Sequence, residues 1–249
     1  MRNTPRPTWG LLLRLQTCSR TALLRRKGAR TDLEKRLRES RIRYRLPILG
    51  YVVLPDTVGI LALPDSLATV GRFVGHLCGG AACAYSRKSQ REGPFWRKRA
   101  HYTLVEGTAL RRCLEMLVWE PVRQEMALHP CDYRWNGYRE LIGLRLRYRV
   151  LDPVHLSRLY GEGDNLGGRI ADSIEVEQGR AKLEDWSRAL AVGDKEWMER
   201  AAAHLPRHRR NIAPLDLSSG SDLQAIVVAN QARRYCLRRL VLASGGMKC

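Results

Sequence analysis

Thr57 and Gly59 stand at alternate positions of a short apolar segment, where side chains that share a face could carry chemistry. The segment, residues 51–61, has two apolar runs around Pro55 and Asp56, a pattern that predicts a hairpin. Residues at i and i+2 of a strand project to the same face, so such a pair beside a tight turn can hold a metal ion or a phosphate. Here the pair offers one hydroxyl, which is a poor metal ligand, and no second side chain.

Phenol and imidazole side chains elsewhere form a second set of groups that could do chemistry. They are Tyr85, Tyr102, Tyr133, His76 and His101. No pair among them has the spacing of a metal site, and the chain has no zinc signature and no P-loop. The seven cysteines include no Cys-x-x-Cys pair, which favours reduced thiols over a disulfide framework.

The positive charge of the chain is large and uneven. The net charge is +19 over 249 residues. Residues 1–50 carry 14 basic against three acidic groups, and residues 204–249 carry eight against two. Two basic ends around a nearly neutral body indicate a polyanionic partner, with nucleic acid as the first choice and a membrane surface or the ribosome as alternatives. No apolar run approaches the length of about 18 residues that a membrane span needs.

Hydrophobic spacing predicts the elements that must position the candidate groups. A first strand is expected at Trp9–Leu15, although residues 1–31, with eight basic and no acidic groups, also fit a mitochondrial presequence. A helix over 32–40 is followed by a predicted strand over 41–45, where apolar residues alternate with arginines. The other predicted elements are a helix over 67–81, a strand over 94–105, a helix over 106–119 and an amphipathic helix over 222–243.

The hairpin resembles the strand-turn-strand signature of the REP-associated tyrosine transposases, which are HUH-type single-strand transposases. The residues that keep this signature are Tyr51, Val52, Pro55, Ile60 and Leu61. Further segments similar to the family, in the same order along the chain, are Trp96, Arg99 and Tyr102, then Glu120–Val122, then the aromatic stretch Asp132–Arg139. Residues 152–156 and 189–200 resemble the C-terminal helices of longer family members, which implies helices there.

The resemblance implies a reaction in which a tyrosine hydroxyl attacks a phosphodiester of single-stranded DNA. In the family, two histidines and a third polar ligand hold Mg²⁺ or Mn²⁺ at the phosphate. In this chain Thr57 and Gly59 stand at the histidine positions, Met116 at the tyrosine position and Glu120 at the third ligand position. A thioether cannot attack phosphorus reversibly and one carboxylate does not make a metal site. We therefore expect no metal, no cofactor, no catalytic residue and no strand cleavage.

DNA binding does not depend on the replaced residues, because arginine and lysine neutralise phosphates and aromatic rings stack on unpaired bases. The predicted DNA-binding residues are Arg14, Arg41, Arg43, Arg45, Trp96, Arg97, Lys98, Arg99, Tyr102, Arg233, Arg234, Arg238 and Arg239. A solvated basic face is the alternative for each of them.

The predicted fold class is α+β, an antiparallel sheet with helices packed on it, and the resemblance adds a ferredoxin-like transposase core with a helical C-terminal extension. The expected organisation is a DNA-binding core over 1–142, a helical extension over 143–205, and a flexible linker with a basic tail helix over 206–249.

Three functions fit the sequence. The first is a transposase-like protein that recognises single-stranded or hairpin DNA without cleaving it, in the bacterial cytoplasm on the nucleoid and without a membrane partner. The second is an active strand-transfer enzyme that uses displaced residues. The third is a basic RNA-binding or organelle-associated protein, for which the acid-free N-terminus is the support and a mitochondrion the compartment.

Overall fold

The part of the chain that the computed structural model describes contains seven strands and eight α-helices. The described residues are 9–18, 22–89, 93–97, 100–145, 147–161, 165–176, 183–203, 212–214, 223–226, 236–237 and 240–241. The strands are β1 (Trp9–Gln16), β2 (Ile48–Val53), β3 (Thr57–Ala62), β4 (His101–Glu106), β5 (Ala191–Gly193), β6 (Ile212–Pro214) and β7 (Gln224–Ile226). The helices are α1 (Lys27–Tyr44), α2 (Leu67–Ser89), α3 (Leu110–Arg123), α4 (Tyr138–Leu141), α5 (Pro153–Tyr160), α6 (Leu166–Val176), α7 (Leu183–Arg188) and α8 (Lys195–Ala203).

The strands lie in one sheet with the order β2-β3-β1-β4-β5-β7-β6. Every neighbouring pair is antiparallel except β4 and β5, which are parallel. The predicted α+β class, a mostly antiparallel sheet with helices packed on it, is confirmed. The hairpin predicted over 51–61 is confirmed as β2 and β3, and the predicted first strand is confirmed as β1.

Helix α3 covers one face of the sheet. A Cβ added to Gly10 of β1 would lie 2.6 Å from a methyl of Leu110, and one added to Gly50 of β2 would lie 2.3 Å from a methyl of Leu114. Only glycine leaves room for α3 at these two positions. We call this the α3 face of the sheet.

Helices α1 and α2 pack together on the opposite face. Tyr51 of β2 is paired with Ile60 of β3, on the side away from Gly50, and its hydroxyl donates to Glu34 of α1 at 2.6 Å. In α2 the residues Val70 and Phe73 are buried, followed at the same helical spacing by Leu77 and Ala81. The predicted helix over 67–81 is therefore confirmed and extends to Ser89.

The strand predicted over 41–45 is wrong, because these residues form the last turn of α1 and its cap. Leu33, Leu37 and Ser40 are buried at helical spacing, so the alternation of arginines with apolar residues coincides with a continuing helix. Arg45 ends the helix in the left-handed conformation with φ of 49°, and its N–H donates to carbonyls of the last turn. Arginines in this turn are favourable beside the free carbonyls.

Several other predicted boundaries are also corrected. The strand predicted over 94–105 begins only at His101, and the helix predicted over 106–119 is a 3₁₀ turn at Gly107–Ala109 followed by α3, which continues through Pro121. Where a helix is predicted over 189–200, Ala191–Gly193 is strand β5. Gln224–Ile226 is strand β7 where the last helix is predicted, and the remaining described residues of that segment, 236–237 and 240–241, are helical.

No helix in the described ranges is long and apolar enough to cross a membrane.

Candidate functional site

Strand register brings the two replaced histidine positions beside polar residues of β1. Thr57 is paired with Gln16 and Gly59 with Arg14, and on the other side of β1 Arg14 is paired with His101 of β4. Directly opposed residues of antiparallel strands project to the same face. All five residues therefore share the face that carries Gly10 and Gly50, which is the α3 face.

Helix α3 carries Met116 and Glu120, the residues that the resemblance assigns to the tyrosine and third-ligand positions. The helix contacts β2 and β3, and Met116 and Glu120 follow one another at a spacing of four residues, on one side of it. Both side chains are buried, with Met116 at 1% and Glu120 at 4% exposure. The Glu120 carboxylate accepts from Gln124 at 2.8 Å and lies 3.7 Å from the Arg123 guanidinium. Glu120 is therefore buried, although it lies near the end of α3.

A second helix, α7, covers the same face over β1 and β4. The Arg14 guanidinium donates to the Ser187 hydroxyl at 3.2 Å, and the Thr103 hydroxyl bonds to the carbonyls of Trp186 and Ala189 at 3.0 and 2.8 Å. Thr103 is paired with Leu12, which confirms that its side chain lies on this face. Arg14 is only 9% exposed as a result. A segment that lies in the predicted extension thus covers Arg14 and Thr103 on this face.

The residues on this face do not fit a divalent metal ion. Thr57 is buried, Gly59 has no side chain, and the residue opposite Gly59 is the permanently cationic Arg14. Divalent hard cations require several anionic or carbonyl oxygens, or imidazole nitrogens, around one point. Among the described residues there is no group of three or more histidine, cysteine, aspartate or glutamate side chains that could hold an ion. The described residues of this face therefore offer no site for a metal-assisted step.

The alternative phenols do not assemble with His101 on the α3 face. Tyr102 is paired with Leu13 and projects to the opposite face, towards α1 and α2. Tyr133 donates to the Val53 carbonyl at 2.8 Å and accepts from Arg30 at 3.0 Å. Burial raises the pKa of the Tyr133 phenol, although the neighbouring guanidinium opposes this. A phenol held in this way is a structural group.

The predicted DNA-binding residues are distributed over different surroundings. At the C-terminal end of α1, Arg43 and Arg45 are exposed, whereas Arg41 is half-buried and forms an ion pair with Asp152 at 3.2 Å. These side chains and Arg14 are therefore not equivalent: Arg43 and Arg45 are open to solvent, and Arg14 lies beneath α7.

The segment 95–97 runs beside the end of β1. The backbone N–H of Arg97 donates to the Gln16 carbonyl and its exposed guanidinium donates to the Gln16 side chain, both at 2.8 Å. Trp96 is half-buried and its indole N–H donates to the Cys78 carbonyl at 3.0 Å. Tyr102 is half-buried. The remaining predicted DNA-binding residues lie outside the described part of the chain. They are Lys98, Arg99, Arg233, Arg234, Arg238 and Arg239.

A buried polar cluster around Tyr51 was not predicted from the sequence. Its hydroxyl donates to Glu34 and lies 3.1 Å from Glu140, and Arg145 donates to both oxygens of Glu34 and lies 3.6 Å from Glu140. Burial, with help from the two carboxylates, raises the pKa of Tyr51. Burial also raises the pKa of Glu140, against the opposing effect of the backbone N–H groups that it accepts from. The one signal in the sequence was a tyrosine inside an otherwise apolar strand.

The aromatic stretch after α3 packs against α1. The Arg30 guanidinium lies 3.8 Å from the centre of the Trp135 ring and donates to the Tyr133 hydroxyl. The Trp135 indole donates to Thr31 at 3.2 Å. With the Tyr51 cluster, these contacts fix β2, and with it the hairpin, relative to α1.

The solved structures that resemble this chain include two that are described as transposases. No protein-family model matches the sequence, and no curated protein matches it significantly. A structure described as a REP-associated tyrosine transposase bound to a REP hairpin is 14% identical with a TM-score of 0.43, over 66% of this chain and 91% of that chain. A structure described as "a putative transposase from Deinococcus radiodurans" is 20% identical with a TM-score of 0.34, over 41% of this chain and 82% of that chain. At TM-scores below 0.5, neither likeness establishes a shared function.

Proposed function

We propose that this protein is a transposase-like protein that binds single-stranded or hairpin DNA and does not cleave it. The observation that carries the proposal is the composition of the α3 face. The positions that resemble the family's metal ligands and nucleophile are held by Thr57, Gly59 and Met116, and the two side chains present there are buried. The contact of α3 with β2 and β3, the elements that carry these positions, supports the proposal.

The charge of the chain supports a nucleic-acid partner. The net charge is +19, and exposed arginines occur at the end of α1 and beside the end of β1, at Arg43, Arg45 and Arg97. Arginine is suited to phosphate because its guanidinium donates two parallel hydrogen bonds. Binding of this kind depends strongly on salt, since each phosphate contact releases a counterion.

A comparison of four nucleic acids across salt concentrations tests the proposal. A single strand carrying a hairpin, a fully single-stranded oligonucleotide, a duplex and a structured RNA are each titrated with the protein. We expect the hairpin-bearing or single-stranded DNA to bind more tightly than the duplex, with affinity falling as salt rises. If the RNA binds as tightly as the hairpin-bearing and the single-stranded DNA, or more tightly, the RNA-binding function is favoured instead. Binding to none of the four would refute a nucleic-acid partner.

A further inference from the structure

The α1–α2 cavity is a hollow of about 230 Å³ between the first half of α1 and the second half of α2. Its apolar lining among the described residues is Leu24, Leu33, Ala81, Tyr85 and Phe95. Because α1 and α2 lie on the face opposite to α3, the cavity is separate from Thr57 and Gly59. None of the features that resemble the family's catalytic site contributes to it.

Cationic side chains surround this apolar lining. Arg26, Arg36 and Lys88 border the cavity, and the acidic group beside them, Asp32, is paired with Lys88. An adjoining hollow of about 290 Å³ adds Arg87 and Lys35 to the same edge, together with the carboxylate of Glu39, so that cationic groups remain in excess. The cavity is therefore complementary in charge to an anion whose remaining part is apolar.

The Arg36 side chain reaches a glycine of the facing helix. A Cβ added to Gly80 of α2 would lie 2.6 Å from a guanidinium nitrogen of Arg36. The Arg36 side chain thus crosses from α1 to α2 in direct contact with the backbone of Gly80. This placement holds its charge at the edge of the cavity instead of leaving it extended into solvent.

Aromatic rings distinguish the occupant from a general anion. The Tyr85 and Phe95 rings have centroids 4.8 Å apart, and Phe95 is in turn 4.8 Å from the Trp96 ring. Aromatic side chains beside basic groups are the arrangement by which proteins bind unpaired bases, since every base has a face that can stack. A long aliphatic tail has no requirement for aromatic rings.

We propose that the α1–α2 cavity binds one unpaired nucleotide, with the base against Tyr85 and Phe95 and the phosphate against Arg36 and Lys88. This inference rests on the proposed function, in that it assigns a site for the unpaired part of the DNA. The site lies on the opposite side of the sheet from the degenerate catalytic positions. It would therefore contribute to recognition whether or not any chemistry occurs on the α3 face.

Gly28 provides a test that adds atoms to the cavity without removing any contact. Gly28 lines the cavity, and a Cβ added to it would have no atom within 4 Å. A Gly28→Leu variant fills part of the hollow, and a Gly28→Ala variant is the matched control. Both replacements favour the helix over glycine, so neither is expected to unfold the chain.

The experiment measures binding of the full chain to hexathymidylate, to its ribose counterpart hexauridylate, and to a blunt DNA hairpin without unpaired nucleotides other than its loop. We expect Gly28→Leu to weaken hexathymidylate binding at least tenfold while Gly28→Ala stays within twofold of the wild type. Weakening of hexauridylate alone would assign the site to RNA and overturn it as a DNA site. Arg36→Gln should also weaken hexathymidylate binding and reduce its dependence on salt, because one phosphate contact is lost.

Two results would overturn the inference, and they differ from failure of the proposed function. Equal affinity of Gly28→Leu and Gly28→Ala for hexathymidylate would place the unpaired nucleotide elsewhere, while hairpin binding by both would leave the proposed function intact. Binding of laurate that Gly28→Leu abolishes, without any effect on hexathymidylate, would assign the cavity to an anionic amphiphile. Absence of binding to every nucleic acid by the wild type would refute both proposals together.

Discussion

Replacing Gly50 by alanine should destabilise the protein because it moves α3 away from the sheet. The added Cβ would lie 2.3 Å from Leu114 Cδ1 and 3.7 Å from both Leu114 Cγ and Leu117 Cδ1. Carbon atoms pack at about 3.5–4.0 Å, so the Leu114 methyl must retreat by about 1.2 Å or more. The neighbouring atoms already in contact leave it little space to do so.

The expected loss of unfolding free energy is that of inserting a methyl group into a packed core. Such insertions destabilise by about 1–3 kcal/mol. For a chain of this size each kcal/mol lowers the melting temperature by about 2–4 °C, so the decrease should be roughly 2–12 °C. Urea unfolding followed by tryptophan fluorescence gives the same quantity as a free energy.

Gly28→Ala is the matched control for this prediction. It makes the same chemical change, in a helix, where the added Cβ has nothing within 4 Å. Alanine is favoured over glycine in a helix by about 1 kcal/mol, so this variant should be as stable as the wild type or more stable. If Gly50→Ala unfolds at the same urea concentration as the wild type, α3 does not lie against β2 as described.

Three further predictions concern charge. Hydrogen bonds from His155 and the charge of Arg41 outweigh burial and lower the pKa of Asp152 to about 2. Asp152→Asn should therefore lose about 2 kcal/mol of unfolding free energy at pH 7. In acid titrations of both proteins, this difference should disappear as the pH falls from about 4 through 2. Arg145→Met leaves two buried carboxylates without their cation and should cost about 3 kcal/mol by urea unfolding, with a larger loss at pH 8 than at pH 5; an equal loss at both would contradict the cluster. Replacing Arg43 by glutamine and Arg45 by asparagine should flatten the log–log salt dependence of single-strand binding by about 1.4 if both contact phosphates, whereas Arg200→Gln, exposed on α8, should leave it unchanged.

The parts of the fold that the sequence predicts are those with long and regular patterns. The hairpin, β1, α2 and the main part of α1 were each indicated by several buried residues at the correct period. The strand predicted over 41–45 failed because five residues of alternation cannot be distinguished from the end of an amphipathic helix. Strands β5, β6 and β7 have three residues each, too few for any period, and pairing with neighbours decides their structure.

The candidate site shows a similar division. That Thr57, Gly59, Met116 and Glu120 stand at the positions of the family's chemistry is implied by the resemblance and stays a prediction. The sequence does not indicate that Arg14 lies opposite Gly59, since register is a property of the assembled sheet. The cover that α7 provides over Arg14 depends on a contact between residues 173 positions apart.

The proposed function is DNA binding without strand transfer. The most direct measurement incubates the full chain with an end-labelled, hairpin-bearing single strand in Mg²⁺ and in Mn²⁺, and separates the products on a denaturing gel. On the denaturing gel, we expect the label to stay entirely in free, full-length DNA. A native gel of the same mixture should show a complex. Label that migrates with the protein under denaturing conditions, and that proteinase treatment releases, would contradict the proposed function, because only a covalent phosphotyrosyl link would survive.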